Sequence, residues 1–216
     1  MRIVAFGDIH MEYGNIKKIP ALAEADLVVI TGDLTNFGGR ADARQVLAAI
    51  RAINPNILAL PGNLDQPEVG DLLIEEGISL HGQGRLLGNI GIFGVGGSNI
   101  TPFKTPTEFS EAALTAILQD AHAQVKEAEH LILVAHPPPL NTRTDVIASG
   151  IHVGSPAVRT FIEAVQPALC LTGHIHEARG TDLLGATRII NPGMLKDGAW
   201  IEIVADVSGI SAELAL

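Results

Sequence analysis

Two short segments of the chain each place two metal-binding side chains two residues apart. One segment is Gly7-Asp8-Ile9-His10 and the other is Gly173-His174-Ile175-His176. Residues two apart in an extended segment point to the same side of the backbone, so each pair can face a common point. Imidazole nitrogens and carboxylate oxygens bind divalent metal ions. The spacing therefore predicts that both pairs contribute to a metal site.

Three further segments carry a metal-capable side chain in similar surroundings: Gly32-Asp33, Gly62-Asn63-Leu64-Asp65 and His136. All five segments follow a short apolar run, and the ligands of open α/β proteins gather beyond the carboxyl ends of strands. Glycine precedes the candidate ligand in four of the five, where the missing Cβ allows a close approach of the backbone. Each residue alone also fits a turn or a hydrogen-bonded core histidine. Their order, each behind a predicted strand, favours one shared site.

Apolar runs rich in β-branched residues predict the strands that must hold these side chains. The predicted strands cover residues 3–6, 27–31, 57–60, 90–95, 131–135, 168–172 and 188–190. Several are apolar without alternation, which is typical of strands covered on both faces. Residues 78–95 and 180–205 resemble consecutive strands joined by glycine turns.

Helical patterns lie between the strands. Two of them cover residues 41–53, ended by Pro55, and residues 68–76, ended by Gly77. A third begins at Thr105-Pro106-Thr107-Glu108, which is interpreted as a capping box, and a fourth begins at Ser155-Pro156. After the capping box, five apolar side chains share one face: Leu114, Ile117, Leu118, Ala121 and Val125.

Together these elements predict an α/β fold with two packed mixed sheets and helices outside, a four-layer α/β/β/α sandwich in one domain over residues 1–216. Residues 137–154 form a long connection, interpreted either as a substrate-facing loop or as an ordered surface loop.

Composition narrows the classes of function. The chain has 216 residues, 47% of them hydrophobic, and a formal net charge of −10, which argues against stable binding to nucleic acid. Its single cysteine, Cys170, allows no intrachain disulfide and suits a reducing compartment. No apolar run is long enough to span a membrane and no basic leader is present. We therefore expect a cytoplasmic protein without membrane contact.

The order Asp-x-His, Gly-Asp, Gly-Asn-x-Asp, His, Gly-His-x-His, from Asp8 to His176, resembles the calcineurin-like metallophosphoesterase family. Residues 96–99, 152–155 and 189–193 resemble its small, single-domain prokaryotic branch. The resemblance assigns Asp8, His10 and His176 to a first metal ion and Asn63, His136 and His174 to a second, with Asp33 bridging both. It marks Asp33, Asn63 and His136 as candidate catalytic residues.

The activity that the resemblance implies is hydrolysis of a small phosphate ester by direct attack of metal-bound hydroxide. A phosphodiester is favoured over a monoester, and nucleotides are among the candidate substrates. Imidazole, carboxylate and amide ligands without thiolate suit Mn²⁺ first, with Fe and Zn²⁺ as alternatives. The alternative function is a non-catalytic metal-binding scaffold of the same fold that acts through protein partners. The physiological substrate, the native metal and the oligomeric state stay open.

One position departs from the family pattern. Many members carry histidine as the third residue of the Gly-Asn-x-Asp block, where it protonates the leaving group, but this chain has Leu64. Leucine cannot donate a proton, which predicts that the rate depends steeply on the leaving-group pKa. Asp65, which would support such a histidine, is then a turn residue or a support for a ligand. The alternative proton donors are water and His152, although His152 is interpreted first as a structural residue.

Overall fold

A five-stranded sheet contains the first strands of the chain. The computed structural model describes residues 1–206 and 209–216. Across this sheet the order is Gly209–Ala215 (β13), Trp200–Asp206 (β12), Arg2–Phe6 (β1), Leu27–Ile30 (β2) and Ile57–Ala59 (β3). β1, β2 and β3 are parallel, whereas β12 is antiparallel to both of its neighbours.

A six-stranded sheet contains most of the remaining strands. Its order is Gly180–Leu184 (β10), Thr187–Asn191 (β11), Leu169–Leu171 (β9), His130–Ala135 (β8), Ile90–Val95 (β5) and Gly84–Leu87 (β4). The four inner strands are parallel and the two edge strands are antiparallel to them. Ser98–Asn99 (β6) and Glu108–Phe109 (β7) form a separate parallel pair.

Helices cover the outer faces of both sheets. Arg40–Arg51 (α1) and Pro67–Glu75 (α2) pack on the five-stranded sheet, and Glu111–Ala123 (α3) and Pro156–Val165 (α4) pack on the six-stranded sheet. Short 3₁₀ turns lie at Tyr13–Lys18, Pro20–Leu22, His176–Ala178 and Leu195–Asp197. Within the described residues, no helix is long and apolar enough to cross a membrane.

Three layers of apolar side chains hold these elements together. The sequence of β1 does not alternate between apolar and polar residues because both faces of the strand are covered. Val4 and Phe6 pack towards the helices, whereas Ile3 and Ala5 pack between the two sheets. All four side chains are fully buried. The third layer lies between the six-stranded sheet and its helices. The predicted four-layer α/β/β/α sandwich is therefore confirmed.

The predicted strands agree with the structure to within two residues at each end, but one predicted helix start is wrong. α3 begins at Glu111, and its cap is Ser110, whose Oγ accepts the backbone N–H of Ala113 at 3.2 Å. Glu108 does accept the Thr105 N–H at 2.8 Å, as in a capping box. No helix follows, because residues 108 and 109 extend as β7 and pair with β6.

The start of α4 is as the sequence predicts, with Ser155 as its cap. Ser155 Oγ accepts the N–H of Val158 at 3.2 Å and donates to Glu111 Oε2 at 2.6 Å. Glu111 also accepts the N–H of Ala157 at 2.9 Å. A carboxylate from the first turn of α3 thus helps to satisfy the first turn of α4, where backbone donors lack helical partners.

We predict that Ser155→Ala lowers the free energy of unfolding by about 2 kcal/mol, because the serine is buried and its loss removes both the cap and the hydrogen bond to Glu111. Ser110→Ala is the matched control: it removes a cap at an exposed position and should cost only about 0.5 kcal/mol. Urea unfolding at constant m-value measures both changes. Equal losses would contradict the proposed link between the two helices.

Candidate metal centre

The predicted site residues all lie in loops at the carboxyl ends of five strands. Asp8 and His10 follow β1, Asp33 follows β2, and Asn63 follows β3. From the other sheet, His136 follows β8, and His174 and His176 follow β9. The two sheets present these edges to the same place, so the structure brings all seven residues into one cluster.

One half of the cluster consists of Asp8, His10, Asp33 and His176, whose ligand atoms all lie within 4.8 Å of one another. His176 Nε2 lies 3.1 Å from Asp8 Oδ1 and 3.1 Å from His10 Nε2. His10 Nε2 lies 3.9 Å from Asp33 Oδ2. Asp8, His10 and Asp33 are buried, and His176 is partly exposed.

The other half of the cluster surrounds the side-chain oxygen of Asn63. Asn63 Oδ1 lies 2.8 Å from His174 Nδ1 and 3.2 Å from His136 Nε2. His136 Nε2 in turn lies 3.5 Å from Asp33 Oδ2. Asp33 therefore contacts histidines in both halves.

The backbone around the cluster is strained. Asp8, His10, Asp33 and His174 have positive φ angles of 48°, 48°, 50° and 68°. Residues other than glycine rarely adopt this left-handed conformation, and such strain concentrates at functional sites. The strain turns each side chain inward immediately after its strand ends.

Glycines beside the ligands leave room for this packing. A Cβ on Gly62 would lie 2.0 Å from Asp33 Oδ1, and a Cβ on Gly32 would lie 2.3 Å from His136 Nδ1. Gly32 also has a φ of +119°, which side chains disfavour. The close approach that the Gly-Asp and Gly-Asn pairs predict is therefore present.

Backbone carbonyls orient two of the imidazole rings. His136 Nδ1 lies 2.8 Å from the carbonyl oxygen of Thr31, and His10 Nδ1 lies 3.3 Å from that of Thr35. Each Nδ1–H donates to its carbonyl, so each Nε2 faces the cluster. Metal-binding histidines are commonly held in this way, because the second nitrogen fixes the ring and its tautomer.

The amide of Asn63 is oriented by residues that the sequence analysis assigned to a helix start. Asn63 Nδ2 donates to Thr105 Oγ1 at 3.1 Å, and Thr105 Oγ1 donates to Glu108 Oε1 at 2.7 Å. This chain of hydrogen bonds turns Asn63 Oδ1 towards the histidines. Thr105 lies 42 residues from Asn63, and no local sequence signal indicates the contact.

Asp65 joins the loops that carry Asp33 and Asn63. Its buried carboxylate accepts the backbone N–H groups of Leu34 at 3.1 Å, Thr35 at 2.8 Å and Gly62 at 2.8 Å, and the Thr35 hydroxyl at 2.7 Å. Both carboxylate oxygens are thus occupied. Asp65 supports the ligand loops and has no oxygen left for a side chain at position 64.

Charges across the cluster shift its titrating groups in opposite directions. Burial alone would lower the pKa of His136, but the Asp33 carboxylate outweighs it and raises the pKa to about 9. Burial, reinforced by His136, lowers the pKa of His174 to about 4. Burial would raise the pKa of Asp33, yet His136 lowers it. The pocket therefore favours positive charge beside Asp33.

The donor set fits a divalent metal ion. The Asp33 carboxylate and the Asn63 oxygen converge with imidazole nitrogens, and the raised pKa of His136 reflects the need for positive charge beside Asp33. A cation satisfies such converging acceptors, and imidazole with carboxylate suits transition metals. The fold and the cluster together define an α/β sandwich with a candidate metal centre at the junction of its two sheets.

Comparison with known proteins agrees with this class. A family model described as calcineurin-like phosphoesterase matches residues 1–178. The uncharacterized protein MJ1162 of Methanocaldococcus jannaschii is 36% identical over 200 residues, which cover 89% of this chain and 88% of that protein. The chain belongs to the calcineurin-like phosphoesterase family, whose members bind divalent metals.

Solved structures share the fold at low sequence identity. TT1561 of Thermus thermophilus is 18% identical with a TM-score of 0.73, and the match covers 98% of this chain and 97% of that one. A putative 5′-nucleotidase from Staphylococcus aureus is 16% identical with a TM-score of 0.59; the match covers 98% of this chain but only 52% of that protein.

We predict that Asp65→Ala lowers the free energy of unfolding by at least about 3 kcal/mol, because three buried backbone N–H groups and a hydroxyl lose their acceptor, at about 1–3 kcal/mol for each unsatisfied group. Asp120→Ala, on the exposed face of α3, is the control and should change stability by no more than about 0.5 kcal/mol. Chemical denaturation of the metal-free protein measures both. A small effect of Asp65→Ala would show that the loops hold their shape without it.

Proposed function

We propose that this chain is a binuclear metal-dependent phosphoesterase that hydrolyses a small phosphodiester. The observation that carries the proposal is the position of Asp33: its Oδ2 lies 3.9 Å from His10 Nε2 and 3.5 Å from His136 Nε2. Asp8, His10 and His176 would hold one ion, and Asn63, His136 and His174 the other. One carboxylate between two ligand groups is what a bridging ligand requires.

The ligand chemistry favours Mn²⁺, with Fe and Zn²⁺ as alternatives, because four imidazoles, two carboxylates and an amide oxygen contain no thiolate. Two divalent ions at this centre would lower the pKa of a shared water molecule and neutralise charge on the phosphoryl oxygens. The two carboxylates offset only part of the ions' charge. The centre would thus attract a phosphate ester despite the net charge of −10.

The chain's own residues position the phosphoryl group and the water. Asp33, Asn63 and His136 are the proposed catalytic residues, because they meet at the junction of the two ligand groups. The sole cysteine, Cys170, is fully buried in β9, and burial raises the pKa of its thiol. Cys170 is therefore a core residue, and we assign the direct attack to water without a phosphoenzyme.

Two cavities that meet at the centre support a diester. A cavity of about 350 Å³ has Asp33, Phe37 and Leu64 in its wall, and one of about 710 Å³ has Ile100, Ile147 and His152. Both are also lined by Asn63, Phe103 and His174. A phosphodiester carries two organic groups, one for each cavity, whereas a monoester carries one.

The exposed aromatic side chains at this entrance suit a substrate with a flat ring. Phe37 is 57% exposed and Phe103 is 82% exposed, and both line the smaller of the two cavities. Aromatic side chains stack readily on nucleobases. A small nucleotide diester is accordingly the leading candidate substrate.

We predict that the protein reconstituted with excess Mn²⁺ binds two ions per chain. Because the ions bind only the folded state, a concentration of 100 times the Kd adds about 2.7 kcal/mol to stability for each of the two sites. Removing both ions with a chelator should then lower the melting temperature by about 10 to 20 °C in a chain of this size. Elemental analysis gives the stoichiometry, and fewer than one ion per chain would refute the binuclear centre.

We predict that Asp33→Asn lowers kcat on bis(4-nitrophenyl) phosphate at least about tenfold more than Asn63→Ala, a difference of about 1.4 kcal/mol in transition-state stabilisation. Asp33 would neutralise and hold both ions, whereas Asn63 would supply one neutral oxygen. The asparagine at 33 retains an acceptor for the Leu64 N–H, which Asp33 Oδ1 accepts at 2.8 Å.

Circular dichroism of both variants controls for misfolding. Equal, mild losses would make Asp33 a turn residue. Complete inactivity of the wild-type protein with two bound Mn²⁺ ions, on both diesters and monoesters, would favour the non-catalytic scaffold instead.

A further inference from the structure

Asp145 anchors the long loop of residues 137–154 beside the candidate centre. Its side chain is fully buried and accepts the backbone N–H groups of Asn141 at 3.1 Å, Thr142 at 2.9 Å and Gly154 at 3.0 Å. Three backbone donors therefore fix the carboxylate independently of any side chain.

His152 is held by this fixed carboxylate. Its Nδ1 lies 2.7 Å from Asp145 Oδ1, while 39% of its side chain is exposed. Among the described residues, no hydrogen bond engages Nε2 of this ring. A buried carboxylate that accepts Nδ1–H of an exposed imidazole orients the ring and leaves Nε2 available to carry and donate a proton.

His152 lines a cavity that also reaches the candidate centre. The wall of the 710 Å³ cavity includes His152 together with Asn63 and His174, and it also contains the acidic side chain of Glu177. Glu177 is engaged, since its Oε1 accepts the N–H of Ala148 at 2.7 Å. His152 therefore lines the same cavity as Asn63 and His174 and has one ring nitrogen that no described residue engages.

Other histidines outside the cluster are placed differently. His81 Nδ1 accepts the N–H of Gly96 at 3.0 Å, His122 packs against the rings of Phe93 and Phe161, and His130 begins β8. Neither cavity at the centre is lined by any of these three. Position 64 offers no donor, because it is leucine and Asp65 is fully engaged.

We propose that the 710 Å³ cavity receives the leaving alcohol of the diester and that His152, positioned by Asp145, protonates the departing oxygen. The inference rests on the proposed phosphodiesterase function. The apolar wall formed by Ile100, Phe103 and Ile147 suits an alcohol with an apolar or aromatic body. With His152 as general acid, we expect the hydrolysis rate to depend only weakly on the pKa of the leaving group. This expectation replaces the steep dependence predicted from Leu64.

The proposed hydrolysis consumes one water molecule. The water oxygen forms a new bond to phosphorus, and the bond between phosphorus and the alcohol oxygen breaks with its electron pair on that oxygen. The alcohol oxygen takes the proton from His152 Nε2. The attacking water releases a proton to solvent, and the neutral imidazole regains one from solvent.

The test is a series of methyl aryl phosphates whose phenols range from 4-nitrophenol to unsubstituted phenol, assayed with Mn²⁺. A general acid contributes about 10² to 10⁴-fold, and most when the departing oxygen is most basic. His152→Gln should therefore slow the phenyl ester by about 10²-fold or more and the nitrophenyl ester by only about threefold. Imidazole added in solution should partly restore the phenyl ester rate.

His130→Gln is the matched control and should leave the whole series unchanged. Asp145→Asn should also slow hydrolysis of the phenyl ester selectively. Thermal unfolding of this variant checks that the loop is intact. Equal slowing of all esters by His152→Gln would make His152 structural, and no slowing of any ester would assign the proton to solvent; either result overturns the inference. A wild-type protein that hydrolyses no ester overturns the proposed function itself.

Discussion

The buried carboxylate of Asp33 joins the two sheets at the point where their strands end. It comes from the loop after β2, yet it lies 3.5 Å from His136, which follows β8 of the other sheet. A buried charge is costly unless it is paired. The Leu64 N–H and the neighbouring histidines supply that pairing. The absence of a side chain at Gly62 and the left-handed backbone of Asp33 follow from the same requirement for space and direction.

Strained loops need support from elsewhere in the structure. Asp65 gives that support with four hydrogen bonds to the loops after β2 and β3. Glu108 acts on the opposite side, where it holds Thr105 and hence the amide of Asn63. These side chains lie behind the ligands and orient them. In metal centres, changing such supporting residues typically costs about 10- to 100-fold in metal affinity or activity.

The strands and the seven clustered residues could be predicted from the sequence because both signals are local: a β-branched run leads to a polar side chain, which glycine precedes in four of the five segments. The capping-box interpretation at Thr105 failed although its hydrogen bond to Glu108 exists. Its partners, Asn63 and β6, are distant in the sequence, and tertiary contacts decided the conformation. The pairing of Asp145 with His152 was also missed, because a loop without periodicity gives no indication of which side chains meet.

The central position of β1 has a consequence for how the chain is made. β1 pairs with β2 on one side and with β12 on the other, and the amino group of Met1 reaches the carbonyl of Ala205, 204 residues away. At about 5 to 20 residues per second, a ribosome needs about 10 to 40 s to supply that second partner. During this interval a nascent chain exposes one apolar edge of its first strand, the kind of surface that promotes aggregation. The five-stranded sheet therefore cannot close until β12 has left the ribosome.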